Sequence, residues 1–205
     1  MKTKLFALLG ATVVLITGCV VTSVYPFYTE KDIAFDPALL GTFVEPGAAS
    51  TNCWVFERGK GNSYLVTMRE DEKTRAGQAH LFKLGGQVFL DFVTSEPIPD
   101  IEPEPLPTHL LMRVSQVTPT LKMSSMKYDW LKDMLAQHPK AVRHIVIRTG
   151  ESSTDQRIVL TADTAELQNF VLKHLNTEEA WNEDSDEQGL ARITPEANAH
   201  QSTAR

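Results

Sequence analysis

The chain has 205 residues, 42% of them hydrophobic, with 20 basic against 26 acidic side chains and a formal net charge of −6. This length suits one domain that buries a core without disulfide staples. The acidic balance argues against nucleic acid and against anionic lipid headgroups as partners.

At the N-terminus, Lys2 and Lys4 precede an apolar run over residues 5–16, which ends in Thr17, Gly18 and Cys19. A basic start, a short apolar core and small closing residues form an export signal. The run is well under the roughly 20 residues that span a bilayer. Ile16-Thr17-Gly18-Cys19 resembles the lipobox of bacterial lipoproteins, with Ile16 where leucine is usual. The resemblance covers the signal and the cysteine only. It implies a signal peptide over residues 1–18, cleavage between Gly18 and Cys19, and acylation of Cys19 as the new N-terminus. Several acyl chains on that cysteine would make the anchor permanent, since each buried CH₂ contributes about 0.8 kcal/mol. The implied location is the bacterial cell envelope. Val20 stands where an aspartate would retain the protein at the inner membrane, so the outer membrane is expected in a cell that has two.

The chain has two cysteines. With Cys19 acylated, Cys53 has no partner, and a thiol in an oxidising compartment is then expected to be buried in a strand beside Trp54.

Residues 19–36 read as a membrane-proximal tether, because Pro26 and the charged Glu30, Lys31 and Asp32 interrupt any periodicity. A short helical turn near Pro37 enters a first strand near Phe43. Strand pairs follow at 53–58 and 63–69 around Gly59 and Gly61, and at 78–84 and 87–93 around Gly85-Gly86. Two more pairs lie at 109–117 and 120–123, around Thr118-Pro119, and at 142–149 and 157–161. The proline-rich, acidic segment 95–107 reads as a stiff surface loop.

A helix over 125–137 is expected from the four-residue spacing of Trp130, Leu131, Met134 and Leu135, with Pro139 ending it. A second, over 164–175, has Asp163 as N-cap and Leu167, Phe170, Val171 and Leu175 on one face. Residues 177–205 lose all periodicity and read as an acidic, disordered tail. The domain proper is then 37–176. Its expected fold is mainly β (β-rich α+β), an antiparallel meander curling into a curved sheet or partial barrel with two flanking helices.

No catalytic motif outweighs its structural alternative. If Gly85-Gly86 is the whole turn, His80 faces Asp91 across the ladder beside Phe82 and Phe89, a weak candidate for acid–base work. His80, His109 and His144 each open or occupy strands in similar company and are weak candidates for zinc, without a local ligand motif. No cofactor is expected. Trp54, Trp130, Trp181 and the methionines at 112, 123, 126 and 134 read as core or as a pocket lining. The leading functional expectation is a lipid-anchored, non-enzymatic envelope protein presenting a β-rich domain to another envelope protein. The alternatives are a carrier of a small apolar ligand in a lipocalin-like cavity, and a hydrolase or metal-dependent enzyme using His80 and Asp91.

Overall fold

The structure, a computed structural model, describes residues 21–47, 51–70, 73–94, 107–148, 156–182 and 189–193. The expected export signal, Cys19, residues 95–106 of the expected loop, and residues 183–188 and 194–205 of the expected tail lie outside the described residues.

Among the described residues, twelve strands and two α-helices follow one another along the chain. They are β1 (Thr22–Ser23), β2 (Ile33–Ala34), β3 (Gly41–Val44), β4 (Cys53–Arg58), β5 (Ser63–Glu70), β6 (Lys73–Leu84), β7 (Gln87–Thr94), β8 (His109–Gln116), β9 (Thr120–Ser125), α1 (Tyr128–Gln137), β10 (His144–Arg148), β11 (Gln156–Leu160), α2 (Thr164–Lys173) and β12 (Leu190–Ile193). Strands β3 to β9 pair as an antiparallel meander, and β12 lies between β9 and β3, so the sheet closes on itself as an eight-stranded barrel. Closure removes the exposed edges that an open meander would leave. The structure is thus mainly β with two helices, and the expected partial barrel is complete.

Alternation along the strands divides the apolar residues between two cores. Phe43, Phe56, Tyr64, Val66, Ala79, Leu81, Leu90, Phe92, Val114 and Leu121 point into the barrel and are almost wholly buried. Inside, Phe56 meets Phe43 edge-on at 5.8 Å and Tyr64 at 6.4 Å. The opposite parity, Phe82, Phe89 and Leu111, packs outside the barrel beneath Leu131 and Leu135 of α1 and Leu167, Phe170 and Val171 of α2. Trp181 joins this outer core, 1% exposed and 6.0 Å from Phe89. Cys53 is a free thiol at 4% exposure in β4, as expected for a small apolar side chain.

Two short strands continue barrel strands that stop early. Ile33 and Ala34 of β2 pair with Phe82 and Leu81, where β5 no longer follows β6. Thr22 and Ser23 of β1 pair with Leu110 and His109, where β9 no longer follows β8. On its other side β1 runs parallel to β11, which carries β10 as the outermost strand of this side sheet.

These pairings correct the expected domain limits at both ends. The residues from Val21 to Asp36, read as part of a tether, are built into the domain, because β1 and β2 satisfy open ladder positions on β8 and β6. Beyond residue 176, Ala180 and Trp181 are buried and β12 is a barrel strand. Helix α1 starts at Tyr128 and not at Ser125, because Ser125 still pairs with Met112 and Met126 bridges to Trp181. Asp163 caps α2 as expected, accepting a hydrogen bond from the Glu166 amide at 3.0 Å.

Candidate functional site

The β6–β7 turn sets the geometry. Gly85 and Gly86 both have positive φ, 58° and 79°, which a two-residue hairpin of this type requires. The resulting register pairs Leu84 with Gln87, Phe82 with Phe89 and His80 with Asp91. On the next strand Asp91 pairs with Leu111, and His109 lies diagonally from it on the same face. His80, Asp91 and His109 therefore meet on the outer wall of the barrel.

Asp91 is wholly buried. Its Oδ1 accepts from His109 Nδ1 at 2.7 Å and its Oδ2 from the backbone N–H of Phe27 at 2.8 Å. The register neighbour His80 instead bonds through Nδ1 to the Tyr28 hydroxyl at 2.9 Å, their rings 4.7 Å apart. Burial, reinforced by the negative charge of Asp91, raises the Tyr28 phenol to about 12. Ser23 sits across the ladder from His109, wholly buried, with its Oγ donating to the Tyr25 carbonyl at 2.6 Å.

The same stretch is held from the helix side. Thr164 Oγ1 donates to the Pro26 carbonyl at 2.8 Å, and Gln168 Nε2 donates both to the Phe27 carbonyl at 3.0 Å and to Asp32 Oδ2 at 2.9 Å. Asp32 Oδ2 also accepts from the Thr29 amide and hydroxyl. Residues 23–32 are thus fastened between barrel and α2 by polar contacts along their length.

Chemically, the pair Asp91–His109 has the form of an acid–base dyad, with the carboxylate orienting the ring so that Nε2 is the free nitrogen. A nucleophile must give its proton to that ring. Ser23 is placed on the right strand but gives its proton to a backbone carbonyl and has no exposure. Ser63, wholly buried and across the ladder from His80, likewise donates to a backbone carbonyl, that of Lys60 at 2.8 Å, and Ser124 on β9, 2% exposed, lies across from Arg113. His144 stands elsewhere. It lies in the same cross-sheet row as Leu160, Ser23 and His109, three strand spacings and about 14 Å from His109. Its Nδ1 contacts the Val142 carbonyl at 3.0 Å. Among the described residues, no group of three or more His, Cys, Asp or Glu side chains is arranged to hold a metal ion.

No protein-family model, curated protein or solved structure matches this chain. The reading of the site therefore rests on its own geometry.

Tyr28 and Ser23 are the members of the cluster that sequence reasoning did not find. The available signal was Thr29 three residues before Asp32, a pattern that closes a turn on itself and marks order in the supposed tether.

Two imidazoles make stability depend on pH. Burial holds His80 below its ordinary 6.5, with Asp91 opposing the shift and His109 adding to it. Burial, aided by Lys173, lowers His174, whose Nε2 is buried without a partner between Trp130 and Phe170. Above about pH 6.5 both groups are neutral whether the chain is folded or not. As pH falls through that value, the unfolded chain takes up protons that the folded chain resists, so stability declines toward the lower folded values. The urea midpoint is expected to drop between pH 7 and pH 5.5. His174→Phe, which keeps a ring against Trp130 and Phe170, should flatten the decline. A wild-type midpoint that holds or rises across this interval contradicts the assignment.

Proposed function

We propose that this chain is a lipid-anchored, non-enzymatic envelope protein, whose barrel is held firmly at the membrane surface for contact with another envelope protein. The observation that carries this reading is the consumption of the Asp91 cluster by residues 23–32. Its donors and acceptors fasten the segment that directly follows the lipobox cysteine, and the one hydroxyl across the ladder from His109 is sealed and already donating. A dyad used in this way is a clamp. The acidic surface suits solubility at a membrane where lipid supplies the attachment.

Cys19→Ala is expected to move the protein from the detergent phase to the aqueous phase and to abolish the acylated N-terminal peptide seen by mass spectrometry. Whatever envelope phenotype deletion produces, His109→Gln should complement it and Cys19→Ala should not. Complementation by Cys19→Ala and failure by a folded His109→Gln would point instead to chemistry at the dyad.

A further inference from the structure

Among the described residues, strand β10 is the outermost strand of the side sheet and is paired on one edge only. Solvent-exposed edges ordinarily carry charge or proline. Here three successive β-branched aliphatic residues, Ile145, Val146 and Ile147, are 48%, 49% and 43% exposed. Arg148 ends the strand and Arg157 pairs with Ile147, both exposed, and the described residues of β10 and β11 include no acidic side chain. Glu151 and Asp155 of the connecting loop lie outside the described residues.

The placement of the chain's beginning identifies what meets this surface. Strand β1 is parallel to β11 and begins with Thr22 opposite Val159, one residue before the end of β11, whereas β10, antiparallel to β11, ends with Arg148 opposite Gln156, the first residue of β11. Val21, the residue before β1, is buried at 4% exposure. Only Val20 separates it from Cys19, so the Cα of Cys19 lies within about 8 Å of that of Val21 whatever the conformation between them. Along the row Thr22–Val159–Ile145, the aliphatic edge is two strand spacings, about 10 Å, from β1. Acyl chains on Cys19 would then enter a bilayer within about 20 Å of this edge.

We propose that this edge, Ile145, Val146 and Ile147 with Arg148 and Arg157, is a lipid-contacting surface that lays the anchored domain against the bilayer, an inference that rests on acylation of Cys19. The aliphatic side chains reach the boundary between headgroups and acyl chains while the arginines stay among the phosphates. The open backbone edge stops at that depth, because its unpaired N–H and C=O groups have no partners in hydrocarbon. A partner strand is the competing occupant of such an edge. Five residues of edge fall far short of the roughly 1,600 Å² that a stable protein interface buries, whereas lipid contact only adds to an anchor already in place.

The test uses the full acylated protein in vesicles of phosphatidylethanolamine and phosphatidylglycerol. Nitroxide labels are placed by Ile147→Cys, by Val146→Cys and, as a control on the barrel wall, by Leu65→Cys, a residue 51% exposed. The labels at 147 and 146 are expected to be several-fold more accessible to oxygen than to an aqueous nickel chelate, relative to the label at 65. Anchored protein whose three labels are equally aqueous overturns the lipid seat and leaves the anchor standing. Spin–spin coupling between copies, or labels at 146 and 147 immobilised without contact with lipid, assigns the edge to a protein strand and also overturns it. A chain whose mass shows unmodified Cys19, and which stays in the aqueous phase, brings down the anchor and the seat together.

Discussion

Replacing Asp91 with alanine is expected to lower the stability of the domain by a few kcal/mol, since each of two buried donors left without its acceptor costs about 1–3 kcal/mol. The carboxylate is wholly buried and serves two donors from different parts of the chain, His109 Nδ1 and the Phe27 amide. Alanine leaves both without an acceptor and adds a small void. Neither group is then satisfied by water, because the 23–32 segment and α2 cover the site. The loss should be spatially graded. Hydrogen exchange at the amides of residues 22–34 is expected to speed up more than in β4 and β5, since those residues depend on the clamp. Asp91→Asn keeps an oxygen of the same shape and should cost less than alanine. Urea unfolding followed by tryptophan fluorescence measures the first effect and exchange mass spectrometry the second. An alanine variant within 1 kcal/mol of the parent, taken as about the net contribution of one hydrogen bond, would show that the cluster does not hold the segment.

Removing residues 189–205 is expected to be more damaging still. Strand β12 fills the gap between β3 and β9, pairing Ala191 with both Val44 and Thr120. Arg192 adds contacts to the Ala38 and Leu40 carbonyls and lies over the Phe43 ring at 4.7 Å. Without the strand, β3 and β9 become open edges and the mouth beside Leu121 and Phe43 is uncovered. A loss on the order of 5 kcal/mol would consume between a third and all of the roughly 5–15 kcal/mol by which domains are ordinarily stable. The truncated chain should therefore aggregate or elute as an expanded species in size-exclusion chromatography. Ala191→Pro, which removes one ladder donor and forces φ, should reproduce most of this loss while leaving the length unchanged. A truncated protein that stays monomeric and melts within a few degrees of the parent would show that closure by β12 is dispensable.

Much of the cluster was legible before the structure, and the reason is local. A two-glycine turn between alternating runs admits one register, and that register alone placed His80 opposite Asp91. The bond that Asp91 makes was not legible, because it goes diagonally to His109 on the next strand and to Phe27, 64 residues earlier in the chain. Cross-strand neighbours follow from a turn, whereas diagonal and segment-to-barrel contacts follow from how the sheet curls. The convergence of three histidines failed on the same ground. His144 shares the row of His109, but β11 and β1 stand between them.

Both ends of the domain were misjudged from composition. Residues 21–36 contain Pro26 and four charges, and residues 183–188 are acidic, so neither neighbourhood shows periodicity. Yet Thr22, Ile33 and Ala191 need only two to four residues of extended backbone to complete ladders begun by longer strands. Pieces that short carry no repeating pattern of their own.

Residue order by itself determined the hairpins, both helices, the buried lone thiol of Cys53 and the outward face on which His80 and Asp91 stand, because turn chemistry and alternation act between neighbours. Tertiary structure alone decided that the sheet closes, that residues 22–34 are clamped into the wall, and that Asp91 serves His109 and Phe27. Each of these joins segments from distant parts of the chain. Such contacts form only once a twisted sheet has brought open edges and buried donors within hydrogen-bonding reach.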